Sequence, residues 1–149
     1  MAKQINNPAK KKAWDAFSKM IRLRDCFATT GLDHTGRCIT CNAAWSIKQL
    51  QAGHAIAGRS NAILFDEDLV NAQCITCNQH YHGKPKKYKA ILIDRHDQDW
   101  WDFKMATSKQ VIQDKYMNFE AKEKEYKRRY KEIMEANGHY TLIDRLNKQ

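Results

Sequence analysis

Two Cys-x-x-Cys pairs, Cys38-Ile39-Thr40-Cys41 and Cys74-Ile75-Thr76-Cys77, flank a Gly53-His54 dipeptide. The second pair runs on into Asn78-Gln79-His80-Tyr81-His82. Thiolates are soft donors, and four of them suit one tetrahedral Zn²⁺. Each short turn can place two sulfurs on one ion. The 32 residues between Cys41 and Cys74 are enough for a hairpin to close the other half. A lone pair would also fit a redox motif, whereas two pairs in a basic chain favour zinc. A Cys₄ site leaves no ligand position for water or substrate, so the predicted zinc is structural. In so small and polar a module, its binding is expected to supply much of the folding energy.

A second chemistry is suggested by the histidines. Cutting a phosphodiester needs an activated water and a charge sink for the phosphate and the leaving oxygen. The neutral imidazole of His54 is a base usable near pH 7. Asn78 and His82 stand four apart, so on a helix they face the same way and can reach one divalent ion, Mg²⁺ or Mn²⁺. His80 points nearly opposite and becomes a ligand only if the helix has already ended. Gly53 offers no side chain, so His82, Asp66, Glu67 or water must complete the ion's shell. Arg59, five residues after His54, can hold a phosphate with its planar fork. Lys84, Lys86 and Lys87 are either further phosphate contacts or a solvated face.

These residues need elements to position them. Asn7-Pro8 is a helix start, and Trp14, Phe17 and Ile21 form one apolar stripe on the helix that follows, fading near Thr29-Thr30-Gly31. Residues 1–7 read as loose. Residues 51–56 and 62–65 read as short strands, and Asn71 as the cap of a helix beginning near Cys74. Gly83 and Pro85 end that helix. Residues 86–105 read as one or two short helices. Thr107-Ser108-Lys109-Gln110 is a capping box for a long helix that stops near Gly138. Its apolar seam, Ile112, Tyr116, Phe119, Tyr126, Tyr130 and Ile133, packs within the chain or across a dimer. Cys26, the spare cysteine, reads as a small core residue.

The chain of 149 residues has 26 Lys and Arg against 17 Asp and Glu, a net charge of +9, and a mean hydropathy of −0.77. Such an excess favours a polyanion, nucleic acid before an anionic membrane. No apolar run approaches the roughly 20 residues that span a bilayer. The N-terminus has no apolar leader of the secretory kind, so a cytoplasmic setting is expected. Arg22 and Arg24 either partner Asp25 or contact DNA. The basic stretch from Lys122 to Lys131 is interleaved with glutamates, so pairing four residues apart neutralises part of it.

The segment from Cys38 to His82 resembles the HNH, or ββα-metal, endonucleases. That resemblance implies His54 as the general base on the first strand and Asn78 as a metal ligand on the helix. It also implies Asn71 as the residue that holds the loop and orients the base. A longer resemblance, over roughly residues 13–95, is to the phage NinG, or Rap, recombination proteins. It is carried by Trp14-x-x-Phe17-Ser18, Ile21-Arg22-Leu23-Arg24-Asp25, Cys38-x-Thr40-Cys41 and Gln51-Ala52-Gly53-His54. It continues through Arg59-x-Asn61, Phe65-Asp66-Glu67 and Asn71-x-Gln73-Cys74-x-x-Cys77-Asn78-x-His80 to Gly83.

Together the resemblances imply an α+β fold. A small zinc-stabilised ββα-metal, treble-clef-like core (about 32–84) lies within a nuclease domain (1–105), followed by a helical extension (106–149). They imply a metal-dependent, structure-specific endonuclease acting on D-loops or Holliday-type junctions in the cytoplasm of a phage's host. Symmetric cutting of a four-way junction needs two active sites, which makes a homodimer through the last helix attractive. The competing expectation is a zinc-stabilised DNA-binding accessory protein without cleavage; a third is an adaptor for protein partners.

Overall fold

The computed structural model describes residues 4–147, and the chain is α+β. Residues 1–3 of the loose start and 148–149 of the extension lie outside the described residues. Helix α1 (Pro8–Thr30) begins as its sequence dictates. Asn7 Oδ1 accepts from the amides of Ala9 and Lys10, and Pro8 sits where its missing N–H is not needed. The helix ends at Gly31, whose φ of 73° lets its N–H turn back to the Phe27 carbonyl. No helix among the described residues is long and apolar enough to cross a membrane.

Two antiparallel ribbons follow, β1 (Thr35–Arg37) with β2 (Ala44–Ser46), and β3 (Leu50–His54) with β4 (Val70–Cys74). In the second ribbon Leu50 faces Cys74, Gly53 faces Asn71 and His54 faces Val70. The expected strand at 62–65 is instead a run of turns, because Ser60 takes the amides of both Ile63 and Leu64. Its apolar residues reach the core from the turn, and β4 takes the place beside β3. Asn71 therefore lies inside β4 and caps no helix. After Cys74 the chain makes only a short π-helical turn, Thr76–His80.

Helices α2 (Pro85–Arg95) and α3 (Gln98–Ser108) form a pair, with Asp97 capping α3 through the Trp100 amide at 2.7 Å. Thr107 and Ser108 do not open the long helix. Their hydroxyls donate back to the Phe103 and Met105 carbonyls and close α3. Residues 109–118 then run as a strap. Asn118 caps α4 (Phe119–Asn147) by accepting from the Ala121 amide at 3.0 Å. Helix α4 passes through Gly138 without stopping, since a glycine weakens a helix by about 1 kcal/mol but does not forbid one.

Helices α1 and α4 run parallel. Lys10 lies over the Phe119 ring and Phe17 meets Tyr126 with centroids 4.9 Å apart, seven residues further along each helix. The apolar seam from Phe119 onward is thus used inside the chain, with Tyr126 buried among Trp14, Phe17 and Ala52. Ile112 and Tyr116 fall in the strap and are exposed.

The outer edge of β4 is closed by α1. Asp25 Oδ2 accepts from the Ala72 amide at 2.6 Å. Arg24 donates to Asp25 Oδ1, to the Glu67 and Val70 carbonyls and to Asn71 Oδ1, all within 3.1 Å. The adjacent arginine and aspartate therefore serve the fold, and Arg22 likewise turns back to the Ser18 carbonyl. Replacing Arg24 by Ala strands these acceptors, and the expected loss is about 3 kcal/mol of unfolding free energy, read from denaturant titration. A loss below about 1 kcal/mol would mean the clasp is replaceable by water.

Candidate metal centre and catalytic site

Cys38 leaves β1, Cys41 follows in the turn, Cys74 ends β4 and Cys77 lies in the next turn. Their four sulfurs all lie within 4.8 Å of one another, and Cys41 and Cys74 Sγ are 3.9 Å apart. Zn–S bonds of about 2.3 Å in a tetrahedron put sulfurs about 3.8 Å apart, so the donor set fits an ion such as zinc. The first turn docks on β4, with the Ile39 amide donating to the Ala72 carbonyl at 3.0 Å. Burial works against the Cys38 thiolate, but the Thr40 hydroxyl and the neighbouring amides outweigh it and bring the thiol down to about 6. Burial pushes Cys74 up to about 12. Crowded sulfurs of this kind are reconciled as thiolates by a dication among them. Lys84 stands beside them, and its contact with Cys77 raises its pKa against desolvation. Cys26 is fully buried in the same small core as these cysteines but is not one of the four gathered sulfurs; its Sγ would lie 2.9 Å from a Cβ placed at Gly36, and burial lifts its thiol to about 11.

His54 ends β3 on the face turned towards α1. Its ring stacks on Trp14, centroids 4.9 Å apart and planes at 20°, and Arg59 lies over the same indole at 4.8 Å. His54 Nε2 lies 3.3 Å from the Leu64 carbonyl oxygen. Facing an acceptor, Nε2 carries the hydrogen, which leaves the lone pair on Nδ1. Desolvation and the Arg59 charge hold the imidazolium down to about 4, so the ring is neutral at pH 7.

On the other face, Asn71 joins a buried polar chain. Arg24 donates to its Oδ1, its Nδ2 donates to Tyr88 Oη at 3.1 Å, and Tyr88 donates to the Gly53 carbonyl at 2.8 Å. Asn71 thereby holds the backbone that precedes His54. Gln73, also on this face, donates to Thr40 Oγ1 and to the Gly83 carbonyl, tying the two cysteine turns together. Its carboxamide lies over Gly53, where any Cβ would collide with it. A metal-binding side chain at position 53 is therefore excluded by packing.

The expected second ion finds no such gathering. Asn78 Nδ2 donates to Gln51 Oε1 at 2.7 Å, and alternation along β3 puts Gln51 on the face opposite His54. The resemblance implies that Asn78 and His54 serve one cation; Asn78 is bonded to Gln51, on the face of β3 opposite His54. His80 and His82 are exposed, and His82 adopts a left-handed φ of 54° just beyond the turn. Asp66 is paired with Lys104 and Glu67 with Arg129, each at 2.6 Å, so neither completes a ligand set there. Among the described residues the four cysteines form the metal-binding group of His, Cys, Asp and Glu side chains. Lys86 and Lys87 are exposed at the start of α2. Lys127 and Arg128 pair with Glu123 and Glu132, as the interleaved charges predict.

Trp14, Tyr88 and Gln73 had no signal of this role in the sequence. Trp14 and Gln73 stand in the motifs of the resemblance with no role attached, Tyr88 reads as packing, and only the fold carries them to Gly53 and His54.

Three substitutions test this site. Cys41→Ser should lower bound zinc below one per chain and broaden or abolish the thermal transition, measured by metal analysis and calorimetry. Gly53→Ala should destabilise by about 2 kcal/mol through overpacking, and Gln73→Ala in the same chain, which removes the Oε1 contact but keeps the Cβ at 2.9 Å, should restore part of the loss. An additive double variant would dismiss the contact.

The matches to known proteins agree with one another. A family model described as Bacteriophage Lambda NinG protein matches residues 2–136. Protein ninG of Salmonella phage P22 is 34% identical over 86 residues, which is 57% of this chain and 38% of that protein. Protein ninG of Escherichia phage 933W and that of Enterobacteria phage VT2-Sa are each 33% identical over 90 residues, 60% of this chain and 40% of theirs. The chain thus spans well under half the length of these relatives in the matched region. No solved structure matches. With the family model covering nearly the whole chain, the protein belongs to the bacteriophage NinG family.

Proposed function

We propose that this NinG-family chain is a zinc-stabilised DNA endonuclease of the HNH kind, hydrolysing phosphodiester bonds in branched recombination intermediates. The observation that carries the proposal is the contact of His54 Nε2 with the Leu64 carbonyl. It leaves Nδ1 as an acceptor that can take a proton from an attacking water. A conjugate acid near 4 makes the imidazole a weak base in the free protein. An approaching phosphate brings negative charge, and that raises the pKa towards the working range. Asn71, Tyr88 and Trp14 position the ring, and Arg59 stands beside it as a cation for phosphate oxygens. The net charge of +9 supports binding through the DNA backbone. Preference for D-loops or Holliday-type junctions rests on the family resemblance.

The residues expected to hold a catalytic Mg²⁺ or Mn²⁺ do not converge on His54, so no step is assigned to such an ion. That same separation favours a second reading, a zinc-stabilised recombination accessory that binds DNA without cutting it. Labelled duplex, flap, D-loop and four-way substrates, each with Mg²⁺, with Mn²⁺ and with EDTA, separate the two. Cleavage by the native protein is expected, and His54→Gln should reduce it by about 10²–10⁴-fold, the usual contribution of a general base. Zinc content should not change. Substrate retained but uncut under every condition would select the accessory reading.

The same histidine links stability to pH. Its pKa falls from 6.5 to about 4 on folding, so the unfolded chain takes up a proton in that window and the folded chain does not. The stabilisation is complete above about 6.5 and is lost as the pH falls towards 4. The native protein should therefore lose more melting temperature between pH 6.5 and 4 than His54→Gln does, the acid sensitivity of the thiolates being common to both. Parallel losses would place the histidine in an ordinary solvated environment.

A further inference from the structure

A cleft of about 510 Å³ lies between the start of α1, the loop 58–61 and the strap 109–118. Lys10, Arg59 and Lys109 line it, and its single acid is Asp114. That carboxylate is seated on donors from elsewhere in the chain. Lys10 Nζ lies 3.1 Å from Asp114 Oδ1 and Asn61 Nδ2 lies 2.7 Å from it, with Asn7 adding a further hydrogen bond. Hydrogen bonding from Asn61, and then the Lys10 ammonium, hold the Asp114 carboxyl below its ordinary range. An ammonium and side-chain amides around one oxygen are the donors that a phosphodiester oxygen also takes.

The strap that delivers Asp114 is held by few polar contacts. Ser60 donates to the Gln110 carbonyl and Asn61 to the Ile112 carbonyl. Little of the strap is buried: Val111 is 91% exposed and Tyr116 is 73% exposed. Segments with few buried contacts and exposed hydrogen bonds are the ones that open most readily. Arg59 links the cleft to the proposed base, since from the cleft wall it rests on the Trp14 ring that His54 stacks against.

We infer that the Lys10–Asn61 end of this cleft is a subsite for a nucleic-acid backbone phosphate, and that Asp114 occupies it in the free protein as an internal surrogate. The inference rests on the nucleic-acid reading above and adds where one phosphate sits and what it displaces. On binding, the phosphodiester takes the donors of Lys10 and Asn61, and the strap swings away. In the free state the strap screens the cleft and lowers affinity for DNA.

The test is binding of a labelled four-way junction and a labelled single strand at several salt concentrations, without added Mg²⁺ or Mn²⁺. Asp114→Asn should bind about fivefold tighter, because the competing charge is gone while the shape is kept. Asp94→Asn, an exposed acid on α2, removes the same charge from another surface and should change affinity little. Lys10→Met should bind about fivefold weaker and lose about one from the slope of log K against log salt, the signature of one phosphate contact. Lys10→Met with Asp114→Asn should not regain the tighter binding. Asp114→Asn behaving like Asp94→Asn would overturn the inference, as would a double variant that keeps the gain. Should Asp114→Asn lose its fold, an unchanged salt slope in Lys10→Met overturns it alone. A native protein that retains no DNA at low salt overturns the nucleic-acid reading itself.

Discussion

Four sulfurs have to meet at one point, and the strand that brings them there is β4. It carries Cys74 at its end, and the turn that holds Cys77 continues from it. Its outer edge receives the Ile39 amide, which brings the Cys38–Cys41 turn alongside. The same edge is bonded by Asp25 from α1, and its face presents Asn71 and Gln73. A chain with short strands has little sheet to bury, so a four-sulfur cluster fit for an ion and a polar clasp stand where a larger core would. Weakening either would loosen the strand to which the other is attached.

The placement of His54 follows from that arrangement. Its strand is paired with β4, its preceding carbonyl is held by Tyr88, and its ring lies against Trp14 of α1. Position 54 is thus held by its strand partner, by α2 through Tyr88 and by α1 through its ring. Buried polar groups demand partners, and the run from Arg24 through Asn71 and Tyr88 to Gly53 provides them in one connected line. A network of that kind rigidifies the backbone it ends on. The imidazole is held neutral by burial, and with Nε2 facing the Leu64 carbonyl its lone pair lies on Nδ1.

Several features were legible because their causes are local. The Asn7-Pro8 start and Gly31 stop of α1 need only residues within a turn of one another. The paired cysteines announce a shared ion through their spacing and chemistry. The misreadings were also local in origin. Residues 62–65 are apolar enough for a strand, yet the backbone carbonyl of Ser60 accepts the amides of Ile63 and Leu64, and its hydroxyl accepts that of Ala62. Thr107 and Ser108 can open a helix or close one, and which they do depends on whether the preceding helix is still running when it reaches them. Gly138 is a common stop signal, but α4 carries through it to Asn147.

What the chain's residues determine alone is an inventory: soft ligands for one ion, a basic excess, a histidine between the cysteine turns, and motifs shared with the phage NinG proteins. Which of those groups face each other was decided by folding. Alternation along β3 sends His54 to Trp14 of α1 and Gln51 to Asn78, so the two residues meet different partners on the two faces of the strand. The close approach of Gln73 turns position 53 into one that tolerates no side chain. Distance along the chain carries no record of such encounters, because they arise from packing between segments that the sequence leaves far apart.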